Sequence, residues 1–578
     1  MASGLLGTAI TGLAAFQRSL ETTSHNISNV NTEGYSRQRV QLAAQPEQLI
    51  GVGFLGNGVS ITNITRSYDQ FITGQLRSST AAFGDVDKYS QFATQVDDIL
   101  ADPSVGMEPA IKNFFNAVNE AANDPSSIPA RQVLLSESDI LTSRFETMNG
   151  RFEQIRDQVN EEMGVMTDQI SAFAAAIADL NVRIASEQGR ANGDQQPNDL
   201  LDKRDTVLNQ LAELVDISVV PSNSNMVNVF MGKGQVLVVD TVANAVVTQR
   251  SELDPTKFDI GLKSSNGNTI IVTNEMTGGA LAGTLRFRDE ILDPAQQRLG
   301  SVAASIAMEF NTIHESGYDL DGNAGTTFFS GIDSIPVIDS SKNTGAMVLT
   351  ATFDKNNIPN IDFSDYQLEM TGTGPNTYRL TRLSDNTFFD LSESTAPNPL
   401  NFLVPSNTGD ELPGISIGFS GLAIVGDTFL IRPTYSAASS MALNVTDSRE
   451  LALATNEGID SAGNSYVING PMPGDNRNGL ALAALENNLG MLGGTASYQD
   501  AYGLVVSEVG VLTSAAKVAT AAQETLLNNA KESWGNVSGV NLDEEAANLI
   551  KFQQSYQAAA QMITVSSTLF DSLLGAIN

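Results

Sequence analysis

The chain has 578 residues and contains no cysteine, two histidines and one tryptophan. The absence of cysteine excludes disulfides, thiolate metal sites and cysteine nucleophiles. His25 and His314 lie far apart, and neither stands in a pattern typical of a Ser-His-Asp device, in which an acid orients the base beside its nucleophile. We predict a capping or interface role for His25. We predict that His314 ends a helix, where a cationic ring suits the helix dipole.

Basic residues are also scarce, since 32 Lys and Arg stand against 66 Asp and Glu, a formal net charge of −34. This charge argues against nucleic acid as a partner, because phosphates would be repelled, and against adsorption to anionic membranes. The sequence shows no run of about 18 apolar residues, so we predict no membrane insertion. The N-terminus lacks the basic and apolar regions of a cleaved signal peptide.

Two short motifs resemble ligand sites but lack the context that those sites need. Residues 51–56 match G-x-G-x-x-G, yet residues 59–64 alternate like a strand, whereas a dinucleotide site needs a helix there. Residues 319–323 resemble the start of a calcium loop, but Ser330 occupies the twelfth position, where that loop needs a carboxylate. We therefore predict turns at both places, no cofactor and no metal site.

Each end of the chain carries an amphipathic helical pattern. Near the N-terminus, apolar residues recur at steps of three and four, the spacing with which helices pack along each other, and they include Leu6, Leu13, Phe16 and Leu20. A similar rhythm near the C-terminus, interrupted by the polar Ser566, includes Leu549, Tyr556, Ile563, Phe570, Leu573 and Ile577. We predict that the two terminal helices pair as a coiled coil.

A polar segment, NISNVNTEGYSRQR, follows the first helical pattern at residues 26–39. Its Asn, Ser and Thr side chains compete for backbone hydrogen bonds and end helices, and Gly34 can adopt positive φ. Residues 26–35 closely resemble the N-terminal motif of the flagellar axial proteins, a family of rod, hook and hook-associated proteins. Residues 539–556 are similar to the C-terminal motif of that family. The candidate assembly residues in the N-terminal motif are Asn26, Asn29, Asn31, Gly34 and Tyr35.

Two inner segments, 278–294 and 426–433, resemble the members of this family that stand at the hook–filament junction. The resemblance implies a structural, non-enzymatic component of the bacterial flagellum that joins the hook to the filament and allows filament assembly. The implied partners are further copies of the chain, the hook protein, the next hook-associated protein toward the filament, and a type III export chaperone on the C-terminal helix. The resemblance also implies an extracellular location, reached without a cleaved signal peptide.

The rest of the chain alternates between helical and β-rich stretches, so we predict an α+β multidomain fold. Its clearest helical rhythm runs from Leu141 to Ile184 and spans about 65 Å at about 1.5 Å per residue. We predict that its partners are helices near 81–101, 107–122, 198–214 and 479–533.

The predicted organisation has four parts. Residues 1–60 and 541–578 form a terminal coiled-coil assembly domain. Residues 61–214, 285–320 and 440–540 form a helical rod. Residues 215–284 form a β-rich segment packed on the rod, and residues 325–439 form one or more outer β-rich domains.

Other interpretations remain open. Within the same family, the chain could be a hook or distal rod protein, although its length and the two inner segments disfavour this. In a different class, it could be a secreted adhesin or glycan-binding protein, which would need an exposed aromatic platform on the β domains. An enzyme inserted at 335–440 is disfavoured by the absence of histidine there.

Overall fold

The computed structural model describes residues 2–50, 53–102, 106–190, 195–264, 266–354, 364–372, 378–393, 401–405, 412, 414–459, 465–467 and 470–577. The α-helices in these ranges are α1 (Ala2–Ser28), α2 (Gln70–Ala101), α3 (Met107–Asn123), α4 (Ile128–Arg190), α5 (Asn198–Leu214), α6 (Gly279–Phe287), α7 (Asp293–Ser316), α8 (Ala437–Ser440), α9 (Arg477–Ala484), α10 (Tyr498–Ser538) and α11 (Leu542–Ile577). A π-helical turn, Arg288–Leu292, links α6 to α7.

Helix α4 is the main helix of the rod. The rhythm predicted between Leu141 and Ile184 is confirmed, and the helix extends beyond it at both ends to 63 residues, about 95 Å at about 1.5 Å per residue. Near the middle of α4, Met163 is fully buried. Glu162 lies at the flank and pairs with Lys88.

Helices α2, α3, α5, α7 and α10 share one apolar core with α4. Aromatic rings fill much of it: Phe92 of α2 stacks on Phe287 of α6 with ring centroids 5.1 Å apart, and Phe114 of α3 lies 5.3 Å from Phe310 of α7. The predicted partner helices near 81–101, 107–122 and 198–214 are confirmed. The stretch near 479–533 contains much of α9 and most of α10.

Two antiparallel sheets follow α5 and pack on α4. The first has the order β5-β6-β7-β8, from β5 (Ile217–Pro221), β6 (Val227–Met231), β7 (Gln235–Val239) and β8 (Val242–Ala243). The second has the order β11-β10-β9, from β9 (Ala245–Arg250), β10 (Phe258–Lys263) and β11 (Thr269–Ile271). Polar side chains of α4 hold both sheets: Ser171 Oγ bonds the amide and carbonyl of Val246, and Asn181 Nδ2 donates to the carbonyl of Val227.

An eight-stranded antiparallel sheet forms the outer β structure. Its order is β13-β20-β15-β16-β17-β18-β19-β14, from β13 (Val337–Asp339), β14 (Val348–Phe353), β15 (Tyr366–Met370), β16 (Tyr378–Arg382), β17 (Phe388–Glu393), β18 (Asn401–Pro405), β19 (Ile415–Ser420) and β20 (Thr428–Ile431). A bridge between Ile335 and Ala351 joins the two edges, so the sheet closes into a barrel around its own apolar core. Buried and part-buried residues alternate in β15 and β16, as is typical of half-buried strands.

A β ribbon lies between α1 and α2. In it β1 (Gln38–Ala44) pairs with β4 (Val59–Arg66), and β2 (Gln48–Ile50) pairs with β3 (Gly53–Leu55). The strand predicted at 59–64 is confirmed, and the next helix begins only at Gln70, so the helix that a dinucleotide site needs is missing after the 51–56 pattern. Gly51 and Val52 of that pattern lie outside the described residues. Two short strand pairs also occur, β12 (Phe329–Ser330) with β21 (Ala442–Leu443) and β22 (Glu457–Ile459) with β23 (Ser465–Val467).

Residues 319–323 form the predicted turn. One carboxylate oxygen of Asp319 accepts hydrogen bonds from the backbone N–H groups of Asp321 and Asn323, at 2.8 Å each. Its other oxygen accepts from Asn323 Nδ2 at 3.0 Å. The carboxylate of Asp321 pairs with Arg449. The acidic side chains here therefore stabilise the turn itself.

One helical stretch within the described residues, 498–572, contains a segment that could cross a membrane by length and composition alone. This corrects the expectation that no segment of the chain meets that test. Only 22% of that segment is buried, although Val505, Val509 and Ala516 of α10 belong to the rod core.

His314 lies near the C-terminal end of α7, as predicted, but it is buried and neutral rather than cationic. Its Nδ1 lies 2.6 Å from the carbonyl oxygen of Thr326, and its Nε2 accepts from the backbone N–H of Ala452 at 3.0 Å. This pair of bonds requires the neutral ring with its proton on Nδ1. Burial lowers the pKa of His314, while the Thr326 bond and Glu315 oppose the shift. Desolvation therefore outweighs the helix dipole.

We expect His314 to make the rod less stable in mild acid. Because the folded pKa is lowered, its contribution is complete above the unfolded pKa of about 6.5 and decreases as the pH falls toward the folded pKa, by up to about 1.4 kcal/mol per pH unit. Urea unfolding of the wild type and His314→Gln at about pH 7.5 and about pH 5.5, followed by circular dichroism, measures the effect. His25→Gln, at an exposed ring, is the control. Equal pH dependence in the wild type and His314→Gln would contradict the prediction.

Candidate assembly site

The two terminal helices pack along each other, and the most buried positions are small or polar. On α1 these include Ala15, Ser19 and Asn26, and on α11 they include Ala559 and Ser566. Small side chains let the two backbones approach closely. Ser566, which looked like an interruption of the apolar rhythm, is 3% exposed and thus lies inside the packed face.

The apolar residues predicted for this interface lie at its edges. Leu13, Phe16, Leu20, Leu549, Tyr556 and Ile563 are half-buried. Leu6 and Phe570 are 36% and 54% exposed. The side chains of Leu573 and Ile577 lie outside the described residues. The paired helices therefore leave much of the predicted apolar surface open to further partners.

Asn26, at the end of α1, joins three segments with one side chain. Its Nδ2 donates to the carbonyl of Gln38 at 2.9 Å and to Glu545 Oε2 at 3.1 Å. Its Oδ1 accepts from the backbone N–H of Gln38 at 2.9 Å and from the hydroxyl of Tyr35 at 2.7 Å. Only a side-chain amide supplies donors and an acceptor in this arrangement. The residue is 1% exposed, so each of these bonds replaces water.

Tyr35 and the turn before it hold the end of α1 in place. The Tyr35 hydroxyl lies 3.0 Å from His25 Nδ1, and because it donates to Asn26, the histidine is the donor. Burial, followed by the charges of Asp199, Asp202 and Glu545, raises the pKa of Tyr35 well above its usual value, so the phenol keeps the proton it donates.

The other motif residues shape the turn. Asn29 Nδ2 donates to the carbonyl of His25 at 2.9 Å, and its Oδ1 accepts from Thr32 Oγ1 at 3.1 Å. Asn31 is exposed in this turn. Gly34 has φ of +74°, and a Cβ there would lie 2.0 Å from Thr206 Oγ1 of α5. Glycine is therefore required both by the conformation and by the contact.

Arg37 connects the polar segment to the start of α11. Its Nε donates to Glu545 Oε1 at 2.7 Å, and its Nη1 lies 2.6 Å from Glu544 Oε2. Its backbone N–H donates to the carbonyl of Ser538 at 2.8 Å. The Arg37 and Glu545 side chains are 8% and 2% exposed, whereas Glu544 is 58% exposed. The Arg37–Glu545 pair is thus the buried one.

Asp202 of α5 ties the same segment to the rod. Its carboxylate accepts from the backbone N–H of Ser36 at 3.0 Å and from Arg66 Nη1 at 2.8 Å. Burial raises the pKa of Asp202, and the bonds from Ser36 and Arg66 oppose that shift. We call Asn26, Tyr35, Arg37, Asp202 and Glu545 the terminal junction. It fastens both chain ends to one end of the rod.

Sequence reasoning missed three residues of the terminal junction. Arg37 and Glu545 lie inside or beside the two terminal motifs, so their opposite charges were the available signal. Asp202 lies on a rod helix with ordinary helical spacing, and nothing in its sequence context marks it. In the described part of the chain, no group of three or more acidic or histidine side chains could hold a metal ion. The terminal junction is built from hydrogen bonds and ion pairs.

Both termini of the chain and its helical rod are similar to known protein families. The family described as flagella basal body rod protein matches residues 6–35, and the flagellar basal body rod FlgEFG protein C-terminal family matches residues 536–576. Residues 93–329 match the helical domain of the flagellar hook-associated protein FlgK. Flagellar hook-associated protein 1 of Salmonella typhimurium is 34% identical over 577 residues, 99% of both chains. The chain belongs to the flagellar hook-associated protein 1 family.

Further relatives agree with this membership. Flagellar hook-associated protein 1 of Escherichia coli K12 is 32% identical over 574 residues, 99% of both chains. The solved structure of the flagellar hook junction protein FlgK from Burkholderia pseudomallei is 24% identical and has a TM-score of 0.70. The match covers all of that structure and 80% of this chain, and it shows the same fold. The predicted α+β fold class and the resemblance to flagellar axial proteins are confirmed. The chain is a structural protein of the flagellum.

Proposed function

We propose that the chain forms part of the junction between the flagellar hook and the filament, outside the cell, and catalyses no reaction. The observation that carries this proposal is the terminal junction. Both chain ends, each similar to the ends of rod proteins, meet there and are fixed to the rod. This arrangement suits a subunit that presents paired terminal helices to its neighbours.

The open apolar edges of the terminal helices are the proposed contacts between subunits. Leu5, Leu6 and Ile10 of α1 and Leu569 and Phe570 of α11 are between 36% and 54% exposed. Exposed apolar residues grouped in this way mark interaction surfaces. We infer that neighbouring copies cover them as an inner coiled-coil layer, and that the hook protein and the next hook-associated protein bind the two ends of this layer.

Deletion of the gene tests this function. We expect cells with complete hooks and no filaments, because filament subunits have no junction on which to assemble and are lost to the medium. Electron microscopy of the cells and detection of filament protein in the medium measure both effects. A copy of the gene on a plasmid is the control.

Other outcomes of the deletion would replace the proposal. Normal filaments would contradict a junction role and would direct attention to the outer barrel. Arrest before the hook is complete would favour the second candidate, a hook or distal rod protein, which the two terminal rod-family matches support.

We also propose that a type III export chaperone covers α11 before export and prevents premature assembly. Phe570 is 54% exposed on this helix, and burying such a side chain stabilises a complex by about 1.5–3 kcal/mol. Phe570→Asp should therefore weaken binding of the chaperone by at least about tenfold, since about 1.4 kcal/mol corresponds to a factor of ten. Calorimetric titration of the full chain with the chaperone measures the affinity.

Thr568→Asp supplies a matched control for the chaperone experiment. It adds the same charge at an exposed position that lies about 200° around the helix from Phe570. We expect it to bind the chaperone nearly as well as the wild type. Equal affinities of Phe570→Asp and the wild type would contradict the chaperone proposal.

A further inference from the structure

A cleft of about 690 Å³ lies between β4, the start of α2, α5 and the sheet that begins with β5. Its lining carries three guanidinium groups, those of Arg66, Arg77 and Arg204, and one carboxylate, that of Asp205. The excess of positive charge is local, because the whole chain has a net charge of −34. The cleft therefore differs in sign from most of the molecule.

Two of these arginines already have acidic partners. Arg66 pairs with Asp202 and Asp205 at 2.8 and 2.6 Å, and Arg77 pairs with Asp205 at 2.8 Å. Asp205 is thus shared between two guanidinium groups.

Arg204 has no carboxylate within 4.0 Å in the described part of the chain, although it is only 6% exposed. Its Nη1 donates to the carbonyl of Asn225 at 2.6 Å and to Asn181 Oδ1 at 3.2 Å, and its buried Nε has no hydrogen-bond partner. Burial lowers the pKa of Arg204 to about 10, opposed by Asp205, while Arg66 lowers it further. A buried charge without a counter-charge is costly.

Most other buried arginines of the chain do have a carboxylate partner. Besides Arg66, whose side chain is 8% exposed, seven arginines in the described residues are at least nine-tenths buried, namely Arg37, Arg77, Arg131, Arg156, Arg204, Arg288 and Arg432. Five of them pair with a carboxylate. Arg131 instead donates to the backbone carbonyls of Pro125, Ser448 and Leu451. In this set Arg131 and Arg204 lack an ion pair, and of these two only Arg204 lines the arginine-rich cleft.

We propose that this cleft binds a carboxylate, supplied by an Asp or Glu side chain of a neighbouring copy of the chain. This rests on the proposed function, in which copies assemble side by side. Guanidinium groups bind carboxylates with two parallel hydrogen bonds, and copies carrying −34 each repel one another unless their contacts pair opposite charges. The cleft adjoins the terminal junction, because Arg66 and Ser36 bind the same carboxylate of Asp202.

The stability of Arg204→Gln separates this proposal from a purely internal role. In the isolated chain, the thermal midpoint of Arg204→Gln is expected to stay close to that of the wild type, because loss of the hydrogen bonds to Asn225 and Asn181 offsets the relief of removing an unpaired buried charge. In cells, the same variant is expected to give at most about half the wild-type number of filaments, with the variant chain released into the medium. Arg190→Gln, at a side chain that is 74% exposed, is the matched control and should behave as the wild type. A clear fall in the thermal midpoint, or a normal number of filaments, would overturn the proposal.

A photocrosslinker at Ser218, an exposed residue of the cleft, identifies the source of the carboxylate. Incorporation of the chain into purified hooks is checked first, so that failure of the proposed function itself is seen separately. The expected product is a crosslink to an acidic peptide of a second copy, at least several-fold weaker in the Arg204→Gln background. A crosslink to another flagellar protein, or one that Arg204→Gln does not weaken, would overturn the assignment.

Discussion

Replacing Glu545 with alanine is expected to release the terminal helices from the rod and to abolish most filament assembly. Glu545 is the buried partner of Arg37 and also accepts from Asn26. Its loss leaves the 8% exposed Arg37 side chain without its buried counter-charge. Removing one member of a buried ion pair costs about 3–5 kcal/mol. Hydrogen exchange of the backbone N–H groups in residues 26–39 should rise, and cells should lose most filaments.

The neighbouring residue provides the control for this prediction. Glu544→Ala removes the same charge from the same helical turn, but the Glu544 side chain is 58% exposed. Exposed ion pairs contribute about 0–1 kcal/mol, so this variant should assemble nearly as well as the wild type. If Glu544→Ala and Glu545→Ala had equal effects, charge rather than the buried contact would be responsible, and the assigned role of Glu545 would be wrong.

Replacing Gly34 with alanine is expected to have the second large effect, on the fit between the N-terminal motif and α5. Gly34 has φ of +74°, a conformation that costs other residues about 1–2 kcal/mol. The added Cβ would also lie 2.0 Å from Thr206 Oγ1, so the turn or α5 has to move. We expect faster hydrogen exchange around Ser36 and Asp202 and few filaments per cell.

Two further variants separate strain from collision at this glycine. Thr206→Ala in the Gly34→Ala background removes the colliding hydroxyl and should restore part of the filaments, while the backbone strain remains. Gly56→Ala is the matched control, because the site is open and its φ is outside the left-handed region. Full assembly by Gly34→Ala alone would show that the turn does not need to rest on α5.

Local periodicity accounts for what could be predicted of the fold. The rhythm from Leu141 to Ile184 predicted a long helix, because one face of a helix packed on others repeats every three or four residues. Alternation at 59–64 predicted a strand for the equivalent reason. The burial of Ser566 was not predictable in this way, since close packing of two helices favours small side chains over apolar ones.

The state of His314 shows the limit of reasoning from position along a helix. Its place near the end of α7 predicted a cationic ring. The groups that bond the ring and replace water belong to Thr326 and Ala452, which lie on other segments. Burial depends on which segments pack against a residue, and the residues adjacent in the sequence do not reveal those segments.

By itself, the sequence determined that the chain has amphipathic ends, a polar motif after the first helix, a helical rod, β-rich insertions and the marks of the flagellar axial family. Only the tertiary structure decided that Arg37 meets Glu545 across 508 positions, that Asp202 holds Ser36, and that Arg204 lines a cleft without an ion pair of its own. Such contacts have no periodicity, because they depend on how whole helices are placed beside one another. Their strength depends on how completely that placement removes water from the charges.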